Sequence, residues 1–132
     1  MTIVEQIVNR DIDAAIVYES ETVIAFADHD PINFGHILIS PKYPYETFLE
    51  LPYETFLEIH EVARDLYKRL EQKFSPAGIG FMQNNGEYPE FNALKHYHLH
   101  IFPRFHADQY GWITSNIGIQ SADKLRESLT DL

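Results

Sequence analysis

The chain has no cysteine. That excludes a disulfide framework, a zinc–thiolate site and a thiol nucleophile together. Positive charge is also scarce, with 10 lysines and arginines against 20 aspartates and glutamates and a formal net charge of −10. A chain this acidic is not built to hold nucleic acid non-specifically. It stays compatible with a phosphorylated small molecule, which feels the local field of its pocket rather than the total charge. No apolar run approaches the roughly 20 residues that span a bilayer, so no membrane partner is expected. The start, Met1-Thr2-Ile3-Val4-Glu5, lacks the basic and apolar regions of a secretory signal. A cytoplasmic location is the default expectation.

What is present is ordinary for a globular protein: 132 residues, 45% hydrophobic and 23% charged, enough for one compact domain with a real core. Ile3, Val4, Ile7 and Val8 recur at helical spacing and predict a short N-terminal helix. Residues 15–19 and 22–27 are β-branched runs on either side of Ser20-Glu21, which reads as a hairpin. A loop over residues 28–34 leads to a third strand, residues 35–40, ended by Pro41.

Residues 44–51 (PYETFLEL) are followed by a near-copy, residues 52–59 (PYETFLEI). Two short units cannot make a solenoid. The first copy reads as a structured loop. The second opens a helix, with Pro52 at its first turn and Phe56, Ile59, Val62, Ala63, Leu66 and Leu70 forming one apolar stripe. Residues 76–78 break the stripe, residues 80–83 begin another strand, and residues 84–90 form a polar, turn-rich loop. A final short helix is expected over residues 121–132. Locally pairing strands that outnumber the helices make an antiparallel α+β domain the natural class.

The segment before that last part is the most informative. Three of the seven histidines, His96, His98 and His100, fall at strict period two, with Tyr97, Leu99 and Ile101 between them. On a strand the imidazoles share one face and the apolar residues turn into the core. Imidazole can act as nucleophile, proton carrier or metal ligand near neutral pH. Adjacent same-face positions lie about 6.5–7 Å apart, so two of the three can reach one ion but all three would strain. A metal site would also need a ligand from elsewhere. Without metal, one imidazole can attack phosphorus while its neighbours bond the phosphate oxygens and leaving group. His36, on another expected strand, adds a fourth.

His96-Tyr97-His98-Leu99-His100-Ile101-Phe102 resembles the His-φ-His-φ-His-φ-φ signature of the histidine triad (HIT) family, and Pro103-Arg104 is a common continuation. Residues 25–28, residues 35–42 and Gln83-Asn84-Asn85-Gly86 resemble that family's ribose-binding segment, Gly-His strand and Asn-Gly loop, in the expected order. The resemblance implies a five-stranded antiparallel sheet with a long central helix and short terminal helices. It also implies a homodimer and a phosphohydrolase or phosphoramidase. Such an enzyme cleaves a nucleoside monophosphate, here from a purine nucleotide, out of a phosphoramidate or dinucleoside polyphosphate. Carried over by position, His98 is the nucleophile that becomes nucleotidylated, flanked by His96 and His100, with His36 close by. Asp28 would bind the ribose hydroxyls, and Asn84 or Asn85 the phosphate. Val4, Ile7, Ile12, Phe26 and Leu38 match the walls of the base pocket.

Three departures stand out. Phe91-Asn92-Ala93 replaces the Gly-Gln pair and small hydroxyl residue that often flank the triad, leaving Asn92 to stand in for glutamine. The loop before it is one residue longer. Pro44 takes the place of a zinc-binding histidine found in some bacterial relatives, and with no cysteine no structural zinc is expected. No cofactor is called for. The alternatives are a non-catalytic nucleotide-binding dimer or scaffold, and a metal-dependent hydrolase on the same histidines. Intact His36, His96, His98 and His100 favour catalysis over a binder, and strand spacing, the absence of cysteine and the blocks around Asp28, His36 and Asn84 favour metal-free chemistry over a metal site. His29 and His106 read as solvated, and Trp112 as a lid, a dimer contact or a packing anchor.

Overall fold

The computed structural model describes residues 1–86 and 94–132. Its elements are α1 (Ile3–Val8), β1 (Ile16–Glu19), β2 (Val23–Ala27), β3 (Ile37–Pro41), α2 (Tyr53–Phe74), β4 (Gly78–Met82), β5 (Leu99–Arg104) and α3 (Ala122–Ser128). The strands form one five-stranded sheet in the order β1-β2-β3-β5-β4, antiparallel at every pairing. This is the α+β architecture expected from the sequence.

Period-two alternation divides the buried residues between the two faces. Val23, Ala25, Ile37, Ile39, Leu99 and Ile101 pack against the α2 stripe of Ile59, Val62, Ala63, Leu66 and Leu70. Their neighbours in sequence, Ile24, Phe26 and Leu38, face the other way and pack with Val4 and Ile7 of α1. A capping box fixes α1. The Thr2 hydroxyl accepts the Glu5 amide at 3.1 Å, and the Glu5 carboxylate accepts the Thr2 amide at 2.9 Å.

The two octapeptide copies adopt different structures. The first holds a single 3-10 turn at Phe48–Glu50, and the second enters α2 behind Pro52. Their equivalent phenylalanines, Phe48 and Phe56, meet edge to face with centroids 5.5 Å apart. Tertiary context, not local propensity, separates the copies. Glu58 of the second copy accepts the hydroxyls of Tyr18, Ser20 and Thr22 at 2.7, 2.5 and 2.5 Å. That tethers the β1–β2 hairpin to α2.

β3 starts at Ile37 rather than Gly35 and takes in Pro41, α3 ends at Ser128, and two further boundaries differ from expectation next to the site. β4 begins at Gly78 rather than Gly80, because Gly78 already pairs with Arg104. β5 begins only at Leu99, so His96 and His98 precede the ladder. The reason is tertiary: the Tyr97 amide donates to the Tyr45 carbonyl at 2.6 Å, and the Tyr97 carbonyl accepts the Ser40 hydroxyl at 2.8 Å. The alternation nonetheless persists, with Tyr97 in the core beside Leu99 and Ile101. After β5 the chain runs over the surface. Trp112 is 97% exposed, and α3, capped by Ser121, buries no residue. Trp112 is therefore no packing anchor within the described residues. No helix among them is long and apolar enough to cross a membrane.

Candidate active site

The β3–β5 pairing builds the site. Leu38 lies opposite His100, and His36 just before β3 meets the same strand. His36 Nε2 and His100 Nδ1 are 2.8 Å apart, and the rings of His98 and His100 pack edge to face at 4.8 Å. Gly35 allows this approach. Its φ is +97°, and a Cβ there would stand 2.9 Å from both Phe74 and Pro103, so the chain can enter β3 this closely only through glycine. Asp28, the first residue after β2, brings a carboxylate oxygen 3.6 Å from His36 Nε2. All four histidines are buried, and Asp28 is largely covered.

Each ring's partner fixes its proton. His98 Nδ1 lies 2.7 Å from the His96 carbonyl, which can only accept, so His98 carries its proton on Nδ1 and leaves the Nε2 lone pair bare. His36 Nδ1 accepts the Ile32 amide at 3.0 Å, so its proton sits on Nε2 and is donated to His100 Nδ1. His100 then keeps its own proton on Nε2, buried and without a partner among the described residues. His96 is different. Its Nε2 donates to the Pro41 carbonyl at 2.7 Å, and its Nδ1 accepts the Thr2 hydroxyl at 2.8 Å. With both nitrogens taken, His96 braces the segment between α1 and β3.

Burial holds all four rings neutral. It is the leading cause of the lowered pKa of His36, His96 and His98. It also brings His100 down to about 3, with His98 and His36 adding to the effect. Asp28 opposes the shift at His36 and His98 but does not overcome it.

Residues 9–107 match the HIT domain, three quarters of the chain. The chain belongs to the HIT family. A HIT-like protein of Methanocaldococcus jannaschii is 37% identical over 108 residues, covering 82% of each chain. The solved structure of a HIT family protein from Bacillus anthracis superposes with a TM-score of 0.81 at 28% identity, covering 96% of this chain and 91% of that one. The adenosine 5′-monophosphoramidase of Candida albicans is 26% identical over 135 residues, covering 96% of this chain and 87% of its own.

Within this HIT chain the sequence-derived site residues separate by location. His36, His98, His100 and Asp28 come together as described. Ile7, Phe26 and Leu38 join Val4 in one cluster under the α1 face, whereas Ile12 is 37% exposed and outside it. Asn85 is engaged locally, its Oδ1 accepting the Phe48 amide at 2.7 Å and its Nδ2 donating to Gln83 at 3.3 Å. Asn84 follows Met82, the last residue of β4, in the same loop. Asn92, with Phe91 and Ala93, lies outside the described residues. His29 and His106 are exposed, as expected.

Sequence reasoning found no convincing carboxylate for a metal, yet Asp28, His36 and His100 each offer a ligand atom, all within 4.8 Å of one another. The donor set argues against an ion there. To ligate through Nε2, neutral His36 would have to move its proton to Nδ1, against the Ile32 amide. The short His36–His100 contact is better filled by a proton.

Neutral burial has a consequence for stability. An unfolded histidine protonates near pH 6.5, whereas His100 resists protonation down to about 3. Between these values the unfolded state binds more protons, so stability falls as pH falls, by up to about 1.4 kcal/mol per pH unit for each such group. Thermal melts between pH 6.5 and 4 should show a pH slope shallower by about one proton in His100→Gln than in wild type. Parallel slopes would refute the neutral burial of His100.

Proposed function

We propose that the protein is a metal-independent nucleotide phosphoramidase or phosphohydrolase that works through a covalent nucleotidyl-His98. The observation that carries this reading is the pairing of opposite functions on adjacent rings. His98 Nε2 has a free lone pair because Nδ1–H is held by the His96 carbonyl, and His100 Nε2–H is a buried donor without a partner among the described residues. A buried N–H left unsatisfied costs about 1–3 kcal/mol, a cost that a phosphate oxygen or departing atom would remove.

In the first step His98 Nε2 attacks the α-phosphorus of a purine nucleoside phosphoramidate or dinucleoside polyphosphate, forming an N–P bond. The P–N or P–O bond to the leaving group breaks, and the leaving group departs with that electron pair and takes a proton from solvent, while His100 Nε2–H bonds a phosphate oxygen. Water then attacks phosphorus, the N–P bond breaks with its electron pair returning to His98 Nε2, and the nucleoside monophosphate is freed as the surplus proton passes to solvent. Asp28 accepts the ribose hydroxyls, and the loop carrying Asn84 and Asn85 flanks the phosphate. Phe26, Leu38 and Ile7 back the base, and Asn92, by its position in the sequence, takes the substrate-binding role of the family's glutamine. The likeness to the Candida albicans monophosphoramidase supports adenosine as the first nucleoside to test.

The same reading includes a homodimer. β4 is a sheet edge, and beside it a groove of about 540 Å³ is lined by Ala63, Tyr67, Phe81 and Leu99. Tyr67 and Phe81 stack at 6.4 Å and are 38% and 47% exposed. An apolar edge of this kind calls for a covering partner. Light scattering should give twice the chain mass for wild type and the single-chain mass for Phe81→Glu; a wild-type monomer would end the dimer reading.

Release of AMP from an adenosine phosphoramidate and from diadenosine polyphosphates, with and without EDTA, tests the activity. Wild type should turn over equally in both conditions, and His98→Ala should lose activity on the order of a thousandfold or more. Equal, slow release by both proteins would favour a non-catalytic binder. Loss in EDTA would favour a metal enzyme.

A further inference from the structure

The proton on His36 Nε2 is favoured by the Asp28 carboxylate 3.6 Å away and fixed by one backbone amide, that of Ile32, which Nδ1 accepts. The loop bearing that amide is held at one side by Asp28, whose Oδ1 accepts the Asp30 amide at 2.9 Å, and at the other by contacts to the end of β5. Asn33 Nδ2 donates to the Pro103 carbonyl at 2.9 Å and to Asp108 Oδ2 at 3.0 Å. Asp108, whose side chain is 8% exposed, receives Arg104 through Nε and Nη2 at 2.8 Å each, and the Phe105 amide at 3.1 Å. A bidentate guanidinium–carboxylate pair is among the most directional contacts a protein makes. Arg104 is itself anchored, its Nη2 donating to the Tyr110 carbonyl at 2.6 Å and its guanidinium lying 5.0 Å from the Tyr110 ring centroid. These contacts hold the Asp108 carboxyl well below the usual carboxylate range, with Arg104 as the largest cause.

The loop end of this clasp joins the cluster. The Asn33 carbonyl accepts the His36 amide at 3.1 Å, and the neighbouring Ile32 amide donates to His36 Nδ1 at 3.0 Å. A shift of Asn33 therefore moves both contacts at once. Phe34, next in sequence, is 83% exposed and contributes no apolar anchor. On this side the loop is located by polar contacts to the end of β5, the strand that also carries His100.

We propose that Asn33 and Asp108 are positioning residues: their clasp holds the Ile32 amide on His36 Nδ1 and so sets which nitrogens of His36 and His100 carry protons. The inference rests on the reading that His100 Nε2–H is the donor to substrate, but its first consequence, the tautomers, is observable without turnover. If the Ile32 amide withdraws, His36 can carry its proton on Nδ1. Nε2 then becomes an acceptor facing His100 Nδ1, and His100 must turn its proton inward, away from Nε2.

Ring-nitrogen NMR on ¹⁵N-histidine-labelled protein at neutral pH reads this directly. In wild type both His36 and His100 should appear as single Nε2–H tautomers. In Asn33→Ala, His36 should become a mixture of tautomers, and kcat should fall roughly tenfold to a hundredfold, the range for outer partners of a functional imidazole. KM should stay within about twofold. Phe34→Ala should behave as wild type in both measurements. If Asn33→Ala does not fold, Arg104→Lys, which keeps the charge but loses the bidentate geometry, should give the same change in tautomer. A folded Asn33→Ala or Arg104→Lys that retains the wild-type tautomers overturns the proposal, as does His36 protonated on Nδ1 in wild type. Tautomers that respond to the clasp in a protein that hydrolyses no nucleotide would sustain the clasp and overturn the function proposed above.

Discussion

Four imidazoles can share one buried corner of a sheet only if none of them is charged. The fold meets that constraint by giving three of the rings a partner that can only accept or only donate. The His96 carbonyl takes the His98 Nδ1 proton, the Pro41 carbonyl takes that of His96 Nε2, and the Ile32 amide fills His36 Nδ1. The protons of His36 and His100 follow in sequence. One bare lone pair, on His98 Nε2, and one buried N–H without a partner among the described residues, on His100 Nε2, result. Charging any ring would place a cation in a buried corner where the Asp28 carboxylate offsets it only in part, and burial is the main reason that every one of these pKa values is lowered.

That arrangement depends on the pairing of β3 with β5. A slip of one residue would turn every side chain to the opposite face. Tyr97, Leu99 and Ile101 would leave the α2 core, and the histidines would enter it. The apolar stripe of α2 and the small cluster under α1 therefore guard the register from both sides. Thr2 links the second of these to the site, since its oxygen both caps α1 and bonds His96. Helix capping, core packing and the proton inventory of the site are coupled through a few atoms.

Much of this was legible in the residues. The α2 stripe, the hairpin around Ser20, the final helix and the alternation of Tyr97, Leu99 and Ile101 follow from periodicity and turn chemistry, and the structure carries them. The late start of β5 was not legible, because it depends on the Tyr45 carbonyl and Ser40 hydroxyl, more than 50 residues away in sequence. Nor was the division of labour among the histidines. Spacing makes His96 and His98 equivalent, whereas Thr2 and Pro41 occupy one and leave the other's Nε2 bare. The resemblance to HIT proteins pointed to Asp28 and His36 beside the triad. It held no sign of Asn33 or Asp108, whose contacts join segments 70 and 75 residues apart in sequence.

The central claim is that His98 Nε2 is a nucleophile prepared by the fold. Intact-mass measurement after brief, acid-quenched mixing with an adenosine phosphoramidate, followed by peptide mapping, tests it most directly. The account predicts one adenylyl group per chain, located on His98 and absent from His98→Ala. Turnover without any adduct, or an adduct on another residue, would contradict it.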